Sequence, residues 1–306
     1  MEFSTIDKVH SAPIAEAIVG SLSPSRASDF KTCPLLYRFR SIDRLPEIPS
    51  KAAVRGTVVH AVLERLFDLP PAERTLPVAR ALVEPAWHQL VADNPALTDL
   101  FVAEPDATEP HEGTITQWLE SAGELVASYF ALEDPARLEP IAREELVEVV
   151  IDGLRLRGYV DRLDESSSGE LRVVDYKTGA IPREAFEAKA LFQMKFYALV
   201  LWRLRGVVPA QLKLIYLADR DTLTYAPSAD ELLRFERTLH AIWTAIGRAT
   251  ALEEFRPSPS RLCGWCSYQA LCPAFGGTPP PFPGPPRAAT VTEYAASGGT
   301  ASVLDV

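Results

Sequence analysis

The feature of this sequence that most constrains its fold is a β-like run that ends in an acid and a base two residues apart. Val173 and Val174 favour a buried strand, and Gly179 marks the turn that closes it. Asp175 and Lys177 stand at the end of the run, and residues two apart on a strand point to the same side of a sheet. A carboxylate can hold a hard cation through oxygen, and an ammonium can orient water or stabilise developing charge. Alone, however, such a pair is more often a simple surface ion pair.

A second acid, Asp161, ends the preceding β-like run. The strand predicted for residues 141–151 is separated from that run by Asp152-Gly153, and Asp-Gly between two β-like segments is the strongest short signal for a hairpin. The loop Ser166-Ser167-Ser168-Gly169 joins the run of Asp161 to the strand over 171–176 that carries Asp175. Antiparallel neighbours joined in this way can place the two carboxylates side by side at one edge of the sheet.

The segments GYVDRLD around Asp161 and VVDYKTG around Asp175 resemble the RecB-family exonuclease branch of the PD-(D/E)XK nuclease superfamily. CRISPR-adaptation nucleases carry similar motifs. The resemblance implies an α/β fold: a restriction-endonuclease-like core of mixed β-sheet flanked by helices, with a helical insertion and a C-terminal iron–sulfur segment. It also implies catalytic roles for Asp161, Asp175 and Lys177. The two carboxylates and the Tyr176 carbonyl would then hold Mg²⁺ or Mn²⁺.

A helix predicted for residues 54–68 carries RGTVVHAVLERLF, which resembles the histidine motif of the same family. The resemblance implies that His60 is a metal ligand, although a lone histidine on an apolar helix is usually a satisfied core residue. Glu64 lies one turn further on the same face, where it would either support the site or be a solvated acid.

The remaining core elements follow in order. Within a helix predicted for residues 183–205, Gln193 and Tyr197 resemble the Q-x-x-x-Y motif that faces the active site in this family. The alternative is an ordinary polar stripe with the tyrosine in the core. A strand over 211–217 completes the order helix, three strands, helix, strand, which is that of the restriction-endonuclease-like core, and a helix over 228–251 follows.

The chain has four cysteines, three of them in a C-x₂-C-x₅-C run: Cys33, Cys263, Cys266 and Cys272. Such grouping favours a metal site over disulfides in a reducing compartment. Spacing alone leaves tetrahedral Zn²⁺ and a 4Fe–4S cluster both open. The segment SPSRASDFKTCPLLYRFR, with its remote cysteine, resembles the first helix of iron–sulfur RecB-like nucleases, which implies the cluster. That helix is predicted to start at Ser23-Pro24 and to break at Cys33-Pro34.

The predicted organisation is an N-terminal extension over 1–20 and a nuclease domain over 21–275. Within that domain, 70–135 would be the helical insertion and 260–275 the cluster-binding segment closed by the remote cysteine. The tail, 276–306, is rich in proline and small residues and is predicted to be disordered.

Charge is distributed unevenly along the chain. The net charge of −10 argues against a general nucleic-acid coat, yet residues 21–56 have a net charge of +4. Residues 84–148 have a net charge of −13 and are predicted to form a solvated face away from DNA. Four residues of the basic segment are candidates for phosphate contacts: Arg26, Lys31, Arg38 and Arg40.

Together these features predict a metal-dependent DNA nuclease, first of all an exonuclease acting on single-stranded DNA or DNA ends in repair. A CRISPR-adaptation nuclease that trims spacers and a non-catalytic DNA-end-binding scaffold are the alternatives. No G-x-x-x-x-G-K-[ST] motif occurs, so degradation of long duplexes would need a helicase or repair partner. The sequence has no apolar run of membrane-spanning length and no signal peptide, so a cytoplasmic location is expected.

Overall fold

The computed structural model describes residues 20–47, 49–101, 111–181 and 184–284 of the 306-residue chain, without the side chains of 111–114 and 184–187. Nearly all of the predicted N-terminal extension and most of the predicted tail lie outside these residues. Across the described ranges, no helix has both the length and the apolar character that a membrane span requires.

The described chain forms two compact units. The smaller contains residues 20–46, 150–156 and 236–284, and the larger contains 47–149 and 157–235. The elements in chain order are α1 (Pro24–Thr32), α2 (Pro34–Tyr37), α3 (Lys51–Leu66), α4 (Leu76–Ala81), α5 (Val83–Asp93), α6 (His111–Leu132), β1 (Ala142–Ile151), β2 (Leu154–Glu165), β3 (Leu171–Lys177), α7 (Glu184–Arg205), β4 (Gln211–Tyr216), β5 (Asp221–Tyr225) and α8 (Ala229–Ala251).

The strands form one sheet in the order β1-β2-β3-β4-β5. β2 and β3 pair antiparallel, β3 and β4 pair parallel, and β4 and β5 pair antiparallel. The predicted mixed sheet flanked by helices is therefore confirmed. The parallel pair is joined through α7, as expected for a crossover between parallel neighbours.

The turns that organise this sheet follow from local sequence. Asp152 and Gly153 adopt φ values of 46° and 79°, the positive pair that a two-residue hairpin turn requires. The predicted hairpin is thus confirmed. The fifth strand, Asp221–Tyr225, was not predicted, because it is short and half-exposed and lacks a run of apolar residues. It begins directly after Arg220, whose φ of 53° turns the chain back on β4.

The first helix also forms as its sequence predicts. Ser23 Oγ accepts from the backbone N–H of Arg26 at 3.3 Å, and Pro24 occupies the first helical position. Cys33 has extended backbone angles, φ −161° and ψ 114°, and α2 starts at Pro34. The break at Cys33-Pro34 is therefore confirmed, since proline cannot continue the hydrogen bonding of the preceding helix.

The core of the larger unit lies between α3, the helices that follow it and one face of the sheet. α3 buries Val58, Val62 and Leu66 completely, and the sheet contributes Val174 and Ile215 to the same cluster. Three edge-to-face aromatic rings from the segment predicted as a helical insertion extend this core, with centroids 5.1–5.6 Å apart: Trp87, Phe101 and Trp118.

The start of the predicted tail is ordered by packing within the smaller unit. The Phe282 ring lies 5.8 Å from the Phe255 ring, and the Arg38 guanidinium stacks 5.4 Å from its centroid. Arg38 also donates to the carbonyl of Pro280. Pro280 and Phe282, near the start of the predicted tail, are thus in contact with the smaller unit.

Candidate active site

Strands β2 and β3 bring the two predicted carboxylates together. Arg162 pairs with Val174 in the antiparallel register, so the neighbouring residues Asp161 and Asp175 face each other at the end of the ladder. The backbone N–H of Tyr176 donates to Asp161 Oδ2 at 2.7 Å, which fixes that carboxylate. Asp175 is only 1% exposed, so its charge is held inside the protein rather than at the surface.

Helix α3 supplies His60 to this strand end. Its Nε2 lies 3.0 Å from the Tyr176 carbonyl oxygen. Its Nδ1 lies 3.5 Å from Asp161 Oδ2 and 3.5 Å from Glu144 Oε1. The ring therefore bridges a main-chain oxygen on one side and two carboxylates on the other, which is not the surrounding of an ordinary core histidine.

The approach of α3 to the sheet depends on a glycine one turn before His60. A Cβ on Gly56 would stand 3.1 Å from Thr178 Oγ1, in the loop that follows Lys177. This separation is tighter than an ordinary van der Waals contact. A larger residue would push the helix and the loop apart.

Glu144 is a site residue that the sequence analysis missed. It lies near the start of β1 with φ 42°, a backbone conformation that non-glycine residues seldom adopt. A signal for it was present in the sequence. Counting back along both strands from the two-residue turn at Asp152-Gly153 places Glu144 directly opposite Asp161.

The donor atoms fit a divalent cation. One ligand atom from each of His60, Glu144 and Asp161 lies within 4.8 Å of the others. His60 Nε2 lies 3.0 Å from the Tyr176 carbonyl oxygen, a hydrogen bond that leaves Nδ1 as the nitrogen facing the two carboxylates. Oxygen donors with one imidazole suit Mg²⁺ or Mn²⁺. Asp175 stands beside this group but pairs with a lysine.

That lysine is Lys177, and two side chains contact it directly while a third acts through one of them. Its Nζ lies 2.7 Å from Asp175 Oδ2 and donates to Gln193 Oε1 at 2.9 Å. Gln193 Nε2 in turn donates to the Tyr197 hydroxyl at 3.1 Å, and Tyr197 is buried. The structure thus brings both positions of the Q-x-x-x-Y segment to the predicted site, where they form a chain of hydrogen bonds that ends at the lysine.

Burial and crowding shift the proton affinities of the site. Burial, Asp175 and Glu144 together raise the pKa of Asp161 to about 7, against the opposing effect of His60. Burial disfavours protonated His60, but Asp161 and Glu144 outweigh it and raise its pKa to about 9. Burial likewise opposes the Lys177 ammonium, yet Asp175 and Asp161 hold its pKa above the ordinary value. The site therefore carries more negative charge than its own cations neutralise.

A second buried charge cluster lies next to the site, on the other face of the same strands. Arg162 is completely buried and contacts four side chains at 2.7–3.2 Å: Tyr129, Glu133, Asp164 and Tyr176. Glu133 also accepts from Lys213 at 2.6 Å. Sequence analysis did not single out this cluster, because the residues come from distant segments.

The four basic residues predicted to contact phosphates differ in their surroundings: Arg26, Lys31, Arg38 and Arg40. Arg38 is buried, lies 3.0 Å from Asp43 and stacks on an aromatic ring, so its charge is already engaged within the protein. Arg40 is partly exposed but lies 2.8 Å from Asp29. Arg26 donates to Ser21, and Lys31 is exposed at the end of α1.

The four cysteines line one cleft within the smaller unit, together with apolar side chains of α2, Phe39 and residues 257–275. Backbone N–H groups of Ser258 and Ser260 point at the sulfurs of Cys33 and Cys263, at 3.4 and 3.2 Å. Within the described part of the chain, no three thiols lie within 4.8 Å of one another. They share a cleft but are not gathered tightly around one point.

Comparisons with known proteins agree with this architecture. The "Gene 69 protein" of Mycobacterium phage D29 is 26% identical over 276 residues, covering 83% of this chain and 96% of that protein. Its counterpart in Mycobacterium phage L5 is 25% identical over 291 residues, with the same coverage of both chains. A crystal structure from Eubacterium rectale, provisionally named an exonuclease, shares the fold with a TM-score of 0.52 at 11% identity, covering 96% of this chain and all of that one.

The family comparison covers most of the chain. The model of the PD-(D/E)XK nuclease superfamily matches residues 21–273, a range that includes the paired carboxylates, the lysine and the histidine described above. The chain therefore belongs to the PD-(D/E)XK nuclease superfamily.

Proposed function

We propose that this chain is a metal-dependent deoxyribonuclease that acts as an exonuclease on single-stranded DNA or DNA ends. The observation that carries the proposal is the partly buried group of His60, Glu144 and Asp161 beside the Asp175–Lys177 pair. Phosphodiester hydrolysis needs both parts: a place for a cation that faces the phosphate, and a positioned group for the attacking water.

His60, Glu144 and Asp161 would hold Mg²⁺ or Mn²⁺, with Asp175 and the Tyr176 carbonyl close by. A bound ion of this kind supplies positive charge to the scissile phosphate and lowers the pKa of the attacking water. The Tyr176 N–H keeps Asp161 turned toward the imidazole, since it donates to Oδ2 at 2.7 Å. Glu144 contributes negative charge from β1.

Lys177 would orient the attacking water and offset negative charge that develops on the phosphate. The neighbouring carboxylates hold its pKa above the ordinary value, so the side chain stays an ammonium and works by position and charge. Gln193 fixes its direction through a 2.9 Å hydrogen bond, and Tyr197 supports Gln193 from the buried side. Both α7 residues act through the lysine.

The preference for single strands and ends, and a role in repair beside a helicase or another repair protein, belong to the proposal. They rest on the resemblance of the motif sequences to those of RecB-family exonucleases, and on the finding that the sequence contains no G-x-x-x-x-G-K-[ST] motif of a helicase motor. The names of the phage relatives state no activity, so they neither support nor oppose this proposed substrate and role.

The nuclease proposal is tested with end-labelled single and double strands and with closed circular single-stranded DNA, each with Mn²⁺, with Mg²⁺ and with chelator. We expect metal-dependent shortening of linear single strands and intact circles. Asp175→Asn and Lys177→Met should lose at least about a hundred-fold in rate, the scale of losing one positioned charge-stabilising group. Lys189→Met, an exposed lysine on α7, is the control.

Two results would contradict the nuclease proposal. One is a wild-type protein that binds DNA but cleaves neither form with any divalent ion, which is the outcome expected for an end-binding scaffold. The other is near-wild-type turnover by Lys177→Met, which would remove the strand-end pair from the chemistry.

We also propose that the cysteine cleft holds a 4Fe–4S cluster that staples α1 to the C-terminal segment. The observation that supports one shared centre is that all four thiols line the same cleft. A lone Zn²⁺ with bonds of ~2.3 Å would bring the sulfurs to about 3.8 Å from each other, a smaller centre than the cluster. N–H groups aimed at two of the sulfurs are also typical of cluster environments.

The cluster proposal is tested by assaying iron and acid-labile sulfide in anaerobically purified protein. About four of each per chain is the expected result. Cys33→Ser should lower the metal content and the melting temperature as much as Cys266→Ser, because both sulfurs would serve one centre. One equivalent of zinc and no iron would exclude the cluster but keep the staple, whereas unchanged metal and stability in Cys33→Ser would exclude both.

A further inference from the structure

The outward face of the β1–β2 hairpin leads directly to the metal ligands. Along β2, burial alternates from Leu154 to Val160, so the odd-numbered residues point away from the core. Tyr159 is 38% exposed on this outward side, two residues before Asp161. An aromatic ring and a metal-binding carboxylate therefore occupy the same face of one strand.

A second apolar side chain lies beside that ring. The two-residue turn of the hairpin places Leu146 of β1 opposite Tyr159, just as it places Glu148 opposite Arg157. The Glu148–Arg157 distance of 4.0 Å agrees with this register. Leu146 is also 38% exposed. We name these two residues, Leu146 and Tyr159, the hairpin platform.

The hairpin platform lies at nucleotide distance from the metal ligands. Two residues along a strand span about 7 Å, which separates Tyr159 from Asp161. Stacked nucleotides advance about 3.4 Å each along a strand, so the platform lies one to two nucleotides from a phosphate bound at Asp161. A base attached to that part of the substrate would come directly over the ring.

We propose that the hairpin platform is a stacking subsite for a base next to the scissile phosphate, and that its ligand is single-stranded nucleic acid. This inference rests on the proposed nuclease function. A tyrosine face offers what an unpaired base needs and what phosphate contacts cannot supply, namely an apolar surface that accepts any base. In a duplex the bases are paired and stacked on each other, so the platform would favour single strands and frayed ends.

The hairpin platform adjoins the candidate metal ligands on both strands, and this position favours single-stranded nucleic acid as its ligand. Glu144, the ligand from β1, is two residues before Leu146, as Asp161 is two residues after Tyr159. Both members of the platform thus adjoin a ligand of the same site. A substrate whose phosphate is bound there must place its neighbouring nucleotides within reach of these side chains, and Arg157 lies one further step along the same face.

The test compares Tyr159→Ala, Tyr159→Phe and a matched control. Leu204→Ala removes a 48%-exposed apolar side chain from the end of α7, far along the sequence from the ligands. With single-stranded DNA, Tyr159→Ala should raise KM, and the Kd measured in Ca²⁺ by fluorescence anisotropy, about ten-fold, the scale of losing one base–aromatic stack. Tyr159→Phe and Leu204→Ala should match the wild type, since the ring or the whole platform is kept.

A second substrate separates stacking from general damage. Abasic sugars at the first three positions of the cleaved end leave the phosphates in place but remove the bases. On this strand Tyr159→Ala and wild type should perform alike, because the ring has nothing to stack on. Equal KM and Kd for Tyr159→Ala and wild type on normal strands, or an undiminished difference on abasic strands, would overturn the subsite. If the wild type cleaves and binds no DNA, the proposed function falls together with it.

Discussion

The larger unit contains two charge clusters, one partly buried and one buried, that differ in how their charges are balanced. On one face of β2 and β3, three carboxylates and one histidine share a single lysine: Glu144, Asp161, Asp175, His60 and Lys177. On the opposite face, Arg162 and Lys213 meet Glu133, Asp164 and two tyrosine hydroxyls at 2.6–3.2 Å. The clusters are one residue apart along each strand.

The two clusters shift the pKa values of their carboxyl groups in opposite directions. Burial opposes the ionised form of Glu133, yet Arg162 and Lys213 outweigh it and hold the pKa of that carboxyl below its ordinary value. Burial, Asp175 and Glu144 instead raise the pKa of Asp161 to about 7. A compensated cluster stabilises the fold as it stands, whereas an uncompensated one is suited to receive a cation. Comparing them separates structural charge from functional charge in one domain.

The largest expected effect is on folding. Arg162→Met should lower the free energy of unfolding by about 3–5 kcal/mol, because it leaves Glu133 and Asp164 buried without their shared partner. Arg172→Met is the matched control: Arg172 lies 2.8 Å from the same Asp164, but its side chain is 31% exposed, and it should cost about 1 kcal/mol or less. Urea denaturation measures both values. Equal losses would mean that the buried network stabilises no more than a surface ion pair.

The next effect is on chemistry. Asp161→Asn should reduce cleavage at least about a hundred-fold, since even the groups that orient metal ligands are worth 10–100-fold. The fold should be retained, because the amide can still accept the hydrogen bond from the Tyr176 N–H. The measurement is the single-turnover rate with Mn²⁺ beside the circular dichroism spectrum. A rate near that of the wild type would place the metal elsewhere.

A smaller effect is expected at Glu144, the candidate ligand that only the structure revealed. Glu144→Gln should raise the Mn²⁺ concentration for half-maximal activity about ten-fold. Its neighbour Glu145 is exposed and serves as the control, so Glu145→Gln should leave the metal dependence unchanged. If both variants titrate like the wild type, Glu144 is only a neighbour of the centre.

The smallest effect concerns pH. In metal-free protein the raised pKa of Asp161, about 7 against ~3.9 when unfolded, means that the folded state binds this proton more tightly. Its contribution to stability is present below pH ~4 and is lost as the pH rises to about 7. Asp161→Asn cannot ionise and therefore avoids this loss of stability, so its melting temperature should exceed that of the wild type by more at pH 8 than at pH 5. Each kcal/mol of unfolding free energy corresponds to about 2–4 °C in melting temperature. A constant difference would mean that the carboxyl is not crowded.

The parts of the fold that sequence predicted are those set by local chemistry. Ser23-Pro24, Cys33-Pro34 and Asp152-Gly153 dictate backbone angles by themselves, and the structure follows them. β5 was missed because an exposed edge strand needs no apolar pattern. The aromatic contact of Arg38 could not be predicted, because a positive charge in a basic segment does not reveal whether the side chain points outward or inward.

The candidate site shows the same division. His60, Asp161, Asp175, Lys177 and Gln193 were found through motifs, and the structure brings them together. Identifying Glu144 requires the register of the β1–β2 hairpin. The sequence contains that information in its turn, but a comparison of motifs does not use it. The Arg162 cluster could not have been predicted, because Glu133 directly follows α6 and its second partner Lys213 lies on β4, and the mutual placement of these segments depends on packing of the whole unit.

Calorimetric titration of metal-free protein with Mn²⁺ tests most directly whether the uncompensated cluster is a cation site. Wild type and Arg172→Met should bind the ion at this site alike, whereas Asp161→Asn and His60→Ala should lose that binding. The wild type should also release protons on binding, because His60, whose pKa is about 9, must give up its proton to become a ligand. Equal affinity and stoichiometry in all four proteins would contradict the account.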